Sequence, residues 1–294
     1  ARSAVKAYRR DMIELAGLSP LQAWNTRVPL RDVVAQLRNR VLHGAVHAAM
    51  ASHGDEDDFA DNFPKVAKDS CGDWRVEDKP PRLFHFDGSV ANRFDVNGLL
   101  AAAFANLTPQ VASLLRRYRL CDVAFKAVGV GSLGTYCTIA LFMSPDDEPL
   151  FIQVKEAKRS VLERFSLGAW PGAQGERVVG GQRTMQAASD IFLGPMRDPA
   201  SQREFYMRQL KTRRLGGLTE LLQSHDLLDY AKLCGRTLAR AHARSADAAT
   251  LAGYMGKSDA FDDALASFAT LYAQQNAKDY EALCAGRNAT TALP

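Results

Sequence analysis

Three glycines and a lysine carry the strongest chemical signal in the chain. Gly129, Gly131 and Gly134 stand in a G-x-G-x-x-G pattern within GVGSLG, and Lys155 closes a strand-like segment further on. Glycine lacks a Cβ, so backbone N–H groups in such a loop can come close to phosphate oxygens. A lysine on a neighbouring strand would then neutralise phosphate charge, a recurrent way of holding a nucleotide. On this reading Gly129, Gly131, Ser132 and Gly134 cradle the phosphates and Lys155 is their cationic partner. A lysine in that role needs a helix carboxylate to orient it. Glu163 and Glu176 are the candidates, and Glu176 is preferred because it opens a long predicted helix. Arg177, Gln182 and Arg183 could line the same polyanion site, since arginine grips phosphate bidentately.

Bland alternatives exist for each of these residues. A glycine hexapeptide also fits a plain β-hairpin with no ligand. A dinucleotide-binding turn would require the glycines to open a helix, with an acidic residue about 20 positions on. The segment after Gly134 favours strand, and Asp146 and Asp147 come too early, so that reading is the poorer one. Glu163 and Glu176 could be exposed helix glutamates, and the arginines could make surface salt bridges. In the stretch HARSAD, His242 and Asp247 are candidates for a base and a loop metal ligand. A packed, hydrogen-bonded histidine and a helix cap are the preferred roles for these two.

The elements that must position these groups follow from periodicity. Val123 to Val128 feeds the glycine segment, Tyr136 to Phe142 leaves it, SPDDE turns, and Leu150 to Lys155 returns antiparallel. A helix is predicted over 159–167, and Glu176 to Ile191 reads as a longer one. Gly180 and Gly181 within it suggest close packing against something. Glu204 to Leu210 is another strand. Upstream, 4–16 is helical, Ser19-Pro20 starts a second helix, and an amphipathic pattern runs from Leu30 towards Met50. Residues 52–78 read as a polar surface linker, Pro80-Pro81 opens an extended RLFHF, and helices are predicted over 94–107 and 109–118. Downstream, Asp226 to Arg244 aligns Leu227, Tyr230, Ala231, Cys234, Leu238 and His242 on one face. A last helix after Ser258 carries Phe261, Leu265, Phe268, Tyr272 and Leu283.

Composition bounds the class. The 294 residues are 47% hydrophobic and 24% charged, with a net charge of +4, as in ordinary globular proteins. Lysine and arginine are dispersed, so no nucleic-acid footprint is expected. No apolar run approaches a membrane span. Five widely spaced cysteines with no C-x-x-C pair argue for reduced thiols in a cytoplasm and against a zinc site or a disulfide frame.

Several stretches resemble the bacterial domain-of-unknown-function 2252 family. They are GVGSLGT, QVKEAKRSVLE, GERVVGGQRTMQAASDIFLG, FYMRQL, CGRTLARAHARSAD and AGYMGKSDAFDDALASFATLYAQQNAKDY, with weaker similarity over 5–24 and at PPRLFHF. The family's activity is not established, but its sequence looks like a rearranged protein-kinase or aminoglycoside-phosphotransferase fold. Members similar to this chain usually carry Asp-x-His-x-x-Asn-Phe-Gly and Asn-Asp-Phe-Asp-Glu upstream of the present Ala1. Neither occurs here, so the resemblance implies that the family's N-terminal part is missing and that this chain alone is inactive.

The expected fold is therefore α+β and protein-kinase-like: a small antiparallel sheet lobe with a glycine-rich loop, packed on a mainly helical lobe. The expected organisation is a mainly helical lead-in over 1–120, a β lobe with loop and helix over 121–212, and a helical part over 213–294. The resemblance and the loop together imply an ATP-dependent phosphotransferase using Mg²⁺, with an unknown small-molecule or protein substrate. The competing class is a non-catalytic nucleotide-binding or scaffold module.

Overall fold

A computed structural model describes residues 1–29, 64–68, 72–85, 96–127, 134–165, 168–210 and 226–291. In chain order these contain helices α1 (Arg2–Ala16) and α2 (Pro20–Asn25), then strands β1 (Val66–Lys68), β2 (Trp74–Val76) and β3 (Leu83–Phe84). Helices α3 (Val96–Ala105) and α4 (Pro109–Leu115) precede β4 (Arg119–Lys126), β5 (Cys137–Met143) and β6 (Pro149–Glu156). Helix α5 (Gln174–Met185), β7 (Gly194–Arg197) and β8 (Glu204–Gln209) complete the strands. Helices α6 (Asp226–Ser245), α7 (Ala248–Met255) and α8 (Ala260–Thr291) follow. The chain divides into two compact units, Ala1–His53 with Leu215–Pro294, and Gly54–Arg214. It is thus a mixed α and β protein with a two-stranded and a six-stranded antiparallel sheet.

The six-stranded sheet has the order β3-β4-β5-β6-β8-β7. The hairpin expected around the SPDDE turn is present, with Cys137 opposite Lys155 and Met143 opposite Pro149. Ser144 Oγ accepts the N–H groups of Asp146 and Glu148, and Asp147 takes the positive φ that the turn requires. Every residue of β5 is buried, as a central strand covered on both faces must be. On one face Ala140, Phe142, Ile152, Val154, Phe205 and Met207 pack with Leu99 and Leu100 of α3 and Leu115 of α4. On the other, Ile139, Leu141, Met143 and Phe151 join Ala124, Val76, Leu83 and Leu210.

Helix α5 stops at Met185, six residues short of the expected end, and a strand not expected from periodicity, β7, follows it. Asp190 explains the change. One of its carboxylate oxygens accepts Phe192 N–H and the other accepts Gln209 N–H at 2.7 Å, which turns the chain so that Phe192 enters the core. Over 159–167 the described structure is a single 3₁₀ turn, Val161–Arg164. Gly180 and Gly181 are exposed, and among the described residues nothing lies within 4 Å of a Cβ added at either. The close approach inferred from them belongs instead to Gly175, whose Cβ would run into the Phe205 carbonyl oxygen and sit 3.3 Å from Pro195 Cβ. Part of the stretch read as a polar linker is ordered as β1 and β2, anchored where Val76 N–H meets an Asp122 carboxylate oxygen at 2.8 Å.

In the helical unit α1 crosses α6, with Met12 and Leu15 packed against Ala239, Met255 and Ala23. Helix α2 begins with the Ser19 capping box, Gln22 answering from the third position, as the Ser19-Pro20 pair led us to expect. The face read as the core side of α6 is not the buried one. Leu227, Tyr230, Cys234 and Leu238 are exposed, whereas Gly235, Ala239 and Ala241 are buried. Small residues win that face because α1 comes so near that a Cβ at Gly235 would overlap the Ala4 carbonyl. Along α8, Leu265, Phe268, Tyr272 and Leu283 are likewise exposed. The amphipathic segment from Leu30 towards Met50 lies outside the described residues.

Candidate functional site

Lys155 lies one residue before the end of β6, directly opposite Cys137 on one side and Tyr206 on the other. Side chains alternate across a strand, so Lys155 shares its face with Gln153 and Phe151. By the same alternation Lys126 follows Ala124 on β4, and Tyr206 and Arg208 share one face of β8. The result is a half-buried polar end to an otherwise apolar sheet face, next to the point where the glycine segment joins β4 to β5.

Contacts within this cluster are specific. Gln153 is 1% exposed, and its Oε1 accepts both the Nε of Arg208 at 3.4 Å and an Nη of Arg208 at 3.3 Å. Its amide nitrogen faces Cys137 Sγ at 3.8 Å. Burial pushes the Cys137 thiol above its ordinary pKa, and the charges of Lys155, Lys126 and Arg208 pull it back part of the way. Burial likewise raises the Tyr206 hydroxyl, again opposed by Arg208. Three cationic side chains, from β4, β6 and β8, therefore act on the Cys137 thiol of the intervening β5. An anion entering there would meet positive charge in partly desolvated surroundings, where charge-assisted hydrogen bonds are strongest.

Helix α5 reaches the same side of the sheet. Pro195 pairs with Tyr206, and Pro195 Cβ is the side-chain atom that limits Gly175. Glu176 stands exposed in the first turn of α5, with its carboxylate close to Gly172. Arg177 donates to Gln174 Oε1 at 2.7 Å and to the carbonyl of Lys158 at 3.1 Å. Arg183 donates to the carbonyl of Leu193 at 2.6 Å, which ties the last turn of α5 to the start of β7. The Glu163 carboxylate accepts from Arg159 Nε. Gly134 has φ +73°, a conformation that suits glycine, at the point where the glycine segment enters β5. Gly129, Gly131 and Ser132 lie outside the described residues.

His242 and Asp247 belong to the helical unit and are engaged there. The Tyr8 hydroxyl meets His242 Nδ1 at 2.9 Å with the two rings edge to face. Asp247 is the N-cap of α7, accepting Ala249 N–H at 3.0 Å and Thr250 N–H at 3.3 Å. These hydrogen bonds, that of the Thr250 hydroxyl first, hold its carboxyl below the usual range. Both are the structural roles preferred from sequence. Lys126, Gln153, Tyr206 and Arg208 were missed, because only strand register brings them beside Lys155.

Residues 1–286 match the family described as uncharacterized protein conserved in bacteria, domain of unknown function 2252. No curated protein and no solved structure matches the chain. Among the described residues no helix is long and apolar enough to cross a membrane.

Proposed function

Since the chain belongs to this bacterial family, whose description states no activity, we propose from the residues themselves that its sheet unit binds the phosphates of ATP, and that the intact protein is a kinase-like phosphotransferase. One observation carries the reading. Strand, glycine segment, strand, lysine strand and helix follow one another as in the small lobe of a protein kinase, and the start of α5 packs against β7 and β8 on the lysine's side of the sheet. Gly134 and Lys155 lie at the same end of the β5–β6 hairpin, where a phosphate chain could meet both.

Lys155, Lys126 and Arg208 fit a polyphosphate in number and sign. A magnesium ion would come with the nucleotide, which supplies phosphate oxygens as ligands and neutralises charge there. Among the described residues no group of three metal-ligating side chains is gathered. Lys155 binds and orients the phosphates, and the helix of Glu176 is the source of a carboxylate to orient Lys155.

Transfer also needs an aspartate base. The second reading is nucleotide binding without catalysis, and an Asp-x-His-x-x-Asn motif in the native protein would favour the enzyme over it. Calorimetric titration with Mg-ATP tests the shared premise. Wild type is expected to bind, and Lys155→Ala to bind at least tenfold more weakly while keeping its melting temperature. Equal affinities, or no binding by folded wild type, would overturn the proposal. A phosphoryl-transfer assay on the chain with and without the family's upstream motif then separates the two readings.

A further inference from the structure

Several interactions converge on the three residues through which the glycine segment enters β5. Glu156 Oε2 accepts the N–H of Tyr136 at 3.1 Å, while its own N–H donates to the Tyr136 carbonyl at 2.8 Å. Lys158 Nζ donates to the Gly134 carbonyl at 2.6 Å and stands 3.9 Å from the Glu156 carboxylate. The Arg203 guanidinium covers the Tyr136 ring at 4.5 Å and lies 3.7 Å from the other Glu156 oxygen. The Glu156 side chain is only 8% exposed.

We propose that Glu156 and Lys158 are positioning residues that hold Gly134–Tyr136 in the conformation the phosphate site needs, and that they root it in α5. This rests on the phosphate-binding reading above. The geometry is more than hairpin closure. Register alone would pair Tyr136 and Glu156 through their backbones, yet a buried carboxylate takes the Tyr136 N–H as well. Lys158 then spans from the loop to the helix, because its carbonyl is the acceptor of Arg177 in α5. A displacement of the first turn of α5 therefore moves the residue that grips Gly134. A loop that presents N–H groups to phosphate must be held in shape before the ligand arrives, or ligand binding has to supply the ordering.

The test uses the full chain with Glu156→Gln and Lys158→Met, titrated with Mg-ATP and, separately, with adenosine. Both variants are expected to weaken Mg-ATP about tenfold and to leave adenosine affinity unchanged, a split that a general loss of stability would not produce. Lys158 is half exposed, so its variant is expected to fold even if Glu156→Gln does not. Amide exchange provides the second readout. Tyr136 N–H should exchange at least tenfold faster in Glu156→Gln, whereas β5 residues from Ile139 onward keep wild-type protection. Variants that bind Mg-ATP as tightly as wild type, or unchanged exchange at Tyr136, would overturn the positioning role alone. Wild type that binds no Mg-ATP would overturn the phosphate reading and this role with it.

Discussion

Arg9 and Asp262 bury opposite charges against each other, with side chains 5% and 0% exposed and an Nη to Oδ distance of 2.7 Å. Arg9 Nε reaches the second oxygen of Asp262 at 2.8 Å, and its remaining donors reach Asp259 and the Lys257 carbonyl. Such a pair adds little over an apolar substitute, yet removal of one member strands the other. Arg9→Ala is therefore expected to cost about 3–5 kcal/mol, and Arg9→Met with Asp262→Leu to recover most of it, by urea titration. Around this pair Lys6 holds Asp259, and Arg2 holds Asp263, below the usual carboxylate range. A folded pKa below the unfolded one gives stability that is complete above the unfolded value, about 3.9, and is lost as pH falls through the depressed folded values. The urea midpoint should hold steady from pH 7 to about 5 and drop below about pH 4. Lys6→Met and Arg2→Met together should flatten that drop. A drop of undiminished size in the double variant would move the acid sensitivity to other carboxylates.

Glycines divide the helices into two kinds, and substitution to alanine should separate them. At Gly235 a Cβ would overlap the Ala4 carbonyl oxygen and lie 3.1 Å from Tyr8 N, both of them backbone atoms of α1 that cannot rotate away. Overpacking of this kind costs about 1–3 kcal/mol, more than the roughly 1 kcal/mol that alanine gains over glycine in a helix. Gly235→Ala should therefore lower the melting temperature, while Gly180→Ala and Gly181→Ala in α5 should raise it or leave it unchanged. A destabilised Gly180→Ala would show that α5 touches something on that side after all. The same contrast marks how far the sequence could be read. The β5–β6 hairpin was legible because its residues are apolar and β-rich on both sides of a turn that its own side chains close. The Ser19 cap was legible because capping is local. The buried side of α6 was not, since large apolar residues signal burial by periodicity while this crossing selects for smallness. Nor could β7 be seen in four residues, GPMR, whose pairing depends on Asp190 reaching Gln209. The cationic cluster was only half visible: Lys155 stood out beside the glycines, whereas Lys126, Gln153 and Arg208 join it through register between strands far apart in sequence.

The helical unit is assembled from both ends of the chain, so its stability depends on a segment remote in sequence from most of it. Helix α1 supplies Met12 and Leu15 to the core shared with Ala239 and Met255, Arg9 to Asp262, and Asp11 to Arg240 at 2.6 Å. Loss of one large buried apolar side chain costs about 2–5 kcal/mol, and a stranded buried charge a similar amount. Removal of residues 1–18 takes away two of the first and leaves Asp262 without Arg9, a sum comparable with the 5–15 kcal/mol that holds an ordinary domain together. The sheet unit has no such debt. Among the described residues, both of its cores are built from residues between Val66 and Leu210. A chain lacking residues 1–18 should then lose amide protection over 226–255 while keeping it over 137–156 and 204–209, with hydrogen exchange followed peptide by peptide. If the phosphate reading holds, the truncated chain should also retain the Mg-ATP affinity that Lys155 confers, because every residue assigned to that site lies in the sheet unit. Protection lost equally in both units would show that the sheet's cores depend on the helices for their stability, and would place the nucleotide site under the control of the chain's first turns.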